Sequence, residues 1–73
     1  MSNVTYVPQF VSTYSISIYL YGIITIDSLN QDYRIPIETY AAQNFSDSDI
    51  LTALNNGWIT QQEYDDTMSY KTT

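Results

Sequence analysis

The side chains able to carry chemistry are few, and their types exclude more than they allow. The chain of 73 residues holds eight carboxylates, one arginine (Arg34), one lysine (Lys71) and neither His nor Cys. Without His or Cys, the usual zinc sites and Cys/His nucleophile pairs have no ligands or partners to draw on. Asp47 and Asp49 open like a calcium loop. Such a loop needs a third oxygen ligand, a Gly at its sixth position and a Glu at its twelfth. Here Ile50, Leu51 and Thr52 follow, and Trp58 stands at the twelfth position. Asp65 and Asp66 fall on adjacent faces of a helix and do not converge as an acid/base pair. Ser and Thr abound, but no His is present to act as their base. The two glycines, Gly22 and Gly57, cannot form a phosphate-cradling loop. The expectation is a non-enzymatic protein with no catalytic residue, no metal and no cofactor.

If the carboxylates do not do chemistry, they have local structural work, and the chain shows where. The segment GIITIDSL at 22–29 is repeated in outline by GWITQQEY at 57–64, an offset of 35 residues. The shared pattern is Gly, large apolar, Ile, Thr, three residues, large apolar. Each copy reads as a helix-to-helix corner. Gly22 and Gly57 suit the left-handed position just past a helix end. Thr25 and Thr60 then act as N-caps of the next helix. In the second copy Thr60 and Glu63 make a capping box, and Ile59 with Tyr64 a hydrophobic staple. In the first copy Ile24 and Leu29 repeat the staple, but Ser28 stands where the acid is needed. Between the copies Ser46 and Asp49 mark a further helix start, with acidic charge at the positive end of the helix dipole.

These signals predict helices near 47–56 and 61–70. Residues 11–26 are ambiguous. Alternation around Ile16, Ile18 and Leu20 and β-branched composition suit a strand. A helical register through Val11, Tyr14, Ile18 and Tyr21 ends at Gly22, and the parallel with the second corner favours it. A short helix at 26–34 is expected to stop ahead of Pro36, because proline disfavours α geometry in the residue before it. Residues 38–44 suit one further helical turn. The fold expectation is mainly α: a single small domain over 11–73 with two Gly-x-Ile-Thr corners, preceded by an extended, charge-free arm over 1–10. The alternative is α+β with a β-hairpin at about 14–26.

Composition points to a partner. Ser, Thr, Asn and Gln supply 27 residues and charged residues only 14%, at a formal charge of −6. One Arg and one Lys cannot form the basic patch that nucleic acid requires. The first charged residue is Asp27, so no secretory n-region is expected. The longest greasy stretch, 16–26, is too short for the roughly 20 residues a membrane span needs. Eight Tyr, two Phe and one Trp exceed what one small core readily encloses. Tyr is favoured at interfaces because it couples apolar area to a polar tip. Trp58 and Tyr64 read as core. Tyr6, Val7 and Phe10 on the arm, with Tyr14, Tyr19 and Tyr40, read as partner-facing.

The second corner, ALNNGWITQQEY at 53–64, resembles the XkdX-like family, tiny proteins of phage tail-gene clusters that carry G-x-I-T-x-E-E-Y. It is also similar to the short C-terminal domain called SHOCT, where the corner ends in Phe. Gly57, Ile59, Thr60, Glu63 and Tyr64 carry the match, with Gln62 where those families often have Glu. The resemblance implies a phage or prophage origin and a virion-associated role, in the virion or the host cytoplasm. Two functions then stand side by side. One is a structural or assembly component that docks on larger virion proteins or on copies of itself. The other is a soluble inhibitor of a host protein, its acidic side chains imitating nucleic acid.

Overall fold

A computed structural model describes residues 8–71. Four helices carry the architecture: α1 (Val11–Ile16), α2 (Arg34–Asn44), α3 (Asp47–Asn55) and α4 (Gln61–Tyr70). Among the described residues there is no strand, so the helical expectation holds and the hairpin at 14–26 does not form.

The chain enters through a 3₁₀ turn, Pro8–Phe10, that runs directly into α1. The end of the expected extended arm is therefore helical. Proline suits a first helical turn, since its φ is already near the helical value and its missing N–H would have no partner there.

After Ile16, α1 widens into a π-helical segment, Ser17–Tyr21, and stops at Gly22 with φ +64°. A π turn takes more residues per revolution than an α turn, so later side chains fall behind the α register. Ile18 and Tyr19 remain in the core, but Tyr21 is carried out to solvent, against the register read from sequence.

Two short 3₁₀ turns, Ile26–Ser28 and Gln31–Tyr33, lead into α2. The helix expected over 26–34 is thus broken in two, and α2 begins before Pro36 rather than after it. Pro36 occupies the third position of α2, where the first-turn amides have no intrahelical acceptor, so its lack of an N–H costs nothing.

α2 lies at the centre, packing on α1 and α4, while α3 packs on α4 and on the π-helical segment. The core combines Ile18, Tyr19, Ile26, Tyr33, Ile37, Ala41, Phe45, Ile50, Ala53 and Ile59. Each large apolar side chain so enclosed contributes about 1.5–3 kcal/mol. Two aromatic groups lie in and around it. Phe10 meets Tyr14 edge to face at 5.8 Å and Tyr14 meets Tyr33 at 5.3 Å. Phe45 is contacted by Tyr19 and by Tyr40, each at 5.8 Å.

Candidate functional site

The second corner is built as its residues dictate. Gly57 has φ +77°. Its N–H donates to the Leu54 carbonyl at 3.0 Å, and the Trp58 N–H donates to the Ala53 carbonyl at 2.9 Å. This pair of bonds is a Schellman ending for α3. Thr60 then caps α4. The Glu63 N–H donates to Thr60 Oγ1 at 3.1 Å, and the Thr60 N–H donates to Glu63 Oε1 at 2.8 Å. Ser46 and Asp49 make the same reciprocal box at the start of α3. Ile59 is buried and Tyr64 packs half-buried against the core.

The first corner departs from its counterpart. The Gly22 and Ile23 amides both donate to the Ser17 carbonyl, a wider closure than that of the second corner. Thr25 precedes the 3₁₀ turn in extended geometry, but its side chain accepts no capping bond. This corrects its reading as a capping side chain. A 3₁₀ turn of three residues offers the Thr25 backbone carbonyl as the acceptor instead, taken by Ser28 N–H at 3.1 Å and by Ser28 Oγ at 2.6 Å.

The two corners meet. A Cβ placed on Gly22 would stand 2.2 Å from Trp58 Nε1 and 2.4 Å from Cδ1, so the indole covers the bare backbone of Gly22. A Cβ on Gly57 would meet nothing within 4 Å. Gly22 is therefore required by conformation and by contact, Gly57 by conformation alone.

Of the residues read as partner-facing, Tyr6 and Val7 lie outside the described residues. Phe10 is exposed, and Tyr14 and Tyr40 are half-buried against the core. Tyr19 is corrected: it is 1% exposed and belongs to the core. Its hydroxyl lies 2.7 Å from Thr67 Oγ1, which itself donates to the Glu63 carbonyl at 2.7 Å, so Tyr19 is the donor between them. That bond gives a buried phenol the partner it needs. Burial pushes its ionisation well above the ordinary range.

The side chains most open to solvent are others. Ile23 is 72% exposed, Tyr21 65% and Ile35 62%, with Leu51, Leu20 and Phe10 less so. Leu20, Tyr21 and Ile23 surround Gly22, and Leu51 projects from α3, which packs on that segment. A signal for two of them was available. Ile35 neighbours Ile37 and Leu51 neighbours Ile50, and residues one or two apart on a helix cannot face the same way.

Arg34 is the second feature that sequence reading missed. Its Nη1 donates to Glu63 Oε2 at 2.9 Å and its Nη2 to Asp27. Pairing with Glu63 and Asp27 raises the guanidinium above its usual range despite the opposing effect of partial burial. Glu38 lies one turn along α2, 1% exposed, with Oε2 at 3.8 Å from Nη1 and without a hydrogen-bond partner. Burial pushes its carboxyl up to about 7, Asp66 and Glu63 adding to the rise and Arg34 opposing it. At the far end, Lys71 Nζ donates to the Phe45 carbonyl at 2.8 Å and pairs with Asp47 at 3.2 Å. It clasps the end of α4 to the α2–α3 junction.

Among the described residues no pocket opens, and no group of acidic side chains is placed to hold a metal. No helix there is long and apolar enough to cross a membrane. No family model matches this chain, and neither curated proteins nor solved structures give a match.

Proposed function

We propose that this chain is a non-enzymatic structural or assembly component of a phage particle, held against a larger virion protein or against further copies of itself. The observation that carries the reading is the outward display of Tyr21, Ile23, Ile35 and Leu51 by so small a domain. Apolar side chains shown by a domain with little surface charge are a feature of proteins that work while covered. The particle is suggested by the resemblance of residues 53–64 to short phage proteins. Their Gly57, Thr60 and Glu63 adopt the corner geometry that such a motif requires.

The inhibitor reading has less support. A nucleic-acid mimic needs carboxylates free to face a partner. Here Glu63 pairs with Arg34, Asp49 caps α3, Asp47 holds Lys71, and Asp65 and Asp66 accept from Gln61 and Gln62.

Mass spectrometry of purified particles tests the role, with stoichiometric presence expected. The double variant Tyr21→Ser, Ile23→Ser tests the surface. Exposed substitutions of this kind change stability by about 0.5 kcal/mol or less, so the variant should fold normally and fail to incorporate. A chain absent from particles and monomeric at all concentrations would refute the proposal.

A further inference from the structure

One guanidinium serves three carboxylates where α2 meets α4. Arg34 Nη1 is bonded to Glu63, Nη2 is bonded to Asp27, and Glu38, sealed from solvent, is left with an oxygen that nothing satisfies. All three carboxylates pair with the guanidinium, but only Glu63 and Asp27 accept hydrogen bonds from it. Glu63 is also the capping-box partner of Thr60, so the same carboxylate fastens Arg34 and the start of α4.

We propose that Glu38 is a proton-operated latch on the Thr60 corner: while its carboxyl holds a proton Arg34 stays on Glu63, and its ionisation draws the guanidinium away and loosens α4 from α2. Nη1 is 2.9 Å from Glu63 Oε2 and 3.8 Å from Glu38 Oε2, so a small rotation of the guanidinium exchanges one carboxylate for the other. A protonated Glu38 offers no charge to compete. An ionised Glu38, buried and held by Arg34 only at 3.8 Å with no hydrogen bond to its Oε2, must be rehydrated or must draw the cation closer.

The surrounding groups favour the protonated form. α4 presents Glu63 and Asp66, both acidic. α1 and its π-helical extension carry no charged residue, only Tyr14, Tyr19 and Tyr21. The turns before α2 contribute Asp27, already on Arg34, and Asp32 and Tyr33, of which Asp32 is exposed. Arg34 is thus the cation within reach.

Below pH 4.5 the carboxyl is protonated whether the chain is folded or not. Between 4.5 and about 7 the unfolded chain releases the proton while the folded chain keeps it, so stability falls as pH rises. Above about 7 both states are ionised and the effect levels off.

The test compares the full chain with Glu38→Gln, a neutral side chain of the same shape, by urea unfolding from pH 4 to pH 8.5. The folding constant of the native protein should fall on the order of 300-fold across the window relative to that of the variant. Hydrogen-exchange protection of the Thr60 amide should fall with it in the native protein only. A ratio of the two folding constants that stays flat with pH would overturn the proposal. Should Glu38→Gln not fold, a carbon-13 titration of the native Glu38 carboxyl decides alone. A midpoint near 7 accompanied by loss of Thr60 protection supports the latch, and a midpoint at or below 4.5, or unchanged protection, overturns it.

Discussion

Replacing Gly22 with Ala should be far more damaging than replacing Gly57, although both glycines close a helix in the same conformation. At φ +64° and +77° an L side chain is strained in either place, at a cost of about 1–2 kcal/mol. At Gly57 that is the whole effect, since a Cβ there meets nothing within 4 Å. At Gly22 the new methyl would lie 2.2–2.4 Å from three atoms of the Trp58 ring. The indole cannot bend, so it must leave, and overpacking of this kind adds about 1–3 kcal/mol. Gly22→Ala should therefore destabilise by about 2–5 kcal/mol. A domain of this length has about 4–11 kcal/mol of stability in all. The assay is urea unfolding followed by circular dichroism at the helical minimum, which remains usable when the tryptophan is removed. In a Trp58→Ala background the excess at Gly22 should vanish, leaving only the conformational penalty and a coupling of about 1–3 kcal/mol between the two sites. Equal losses at the two glycines, or an excess at Gly22 that survives removal of Trp58, would refute the contact between the corners.

Three further outcomes are expected. Thr60→Ala should cost about 1 kcal/mol and expose the Glu63 amide, seen as faster hydrogen exchange there. Tyr19→Phe should cost about 0.5–1.5 kcal/mol, whereas Thr67→Val should cost more, about 1–3, because it strands the buried Tyr19 hydroxyl without an acceptor; thermal melts rank the two. Lys71→Met should fray the end of α4 by at most about 1 kcal/mol, with the loss of amide protection confined to the last turn of that helix.

What the chain by itself determined is what neighbours in sequence can settle. A capping box, a Schellman ending and a hydrophobic staple join residues no more than five apart. Thr60, Glu63, Ile59, Tyr64, Ser46, Asp49 and Gly57 accordingly stand where their spacing places them, and α3 and α4 start at Asp47 and Gln61. Where local rules compete, they decided less. Pro36 argued for a break and Val11 to Tyr21 argued for strand or helix with similar force. The outcome goes with tertiary packing: Ile37 and Ala41 on α2, and Ile18 and Tyr19 on the π-helical segment, are all buried in the core.

The tertiary structure alone decided the pairings between distant residues. Tyr19 reads as an interface residue until Thr67, 48 positions away, supplies a buried partner for its hydroxyl. Arg34 stands four residues before Glu38 in the sequence, yet its hydrogen bond goes to Glu63, 29 positions away on α4, and Glu38 Oε2 is left at 3.8 Å without one. The repeated corner showed in the sequence as a similarity of spacing. That the two copies touch, with Trp58 lying on Gly22, depends on the packing of α3 against the π-helical end of α1. Hydrogen-bond and capping geometry is written in short spacings, but burial is a property of the whole assembled chain. It fixes which polar atom finds a hydrogen bond and which, like Glu38 Oε2, is enclosed without one.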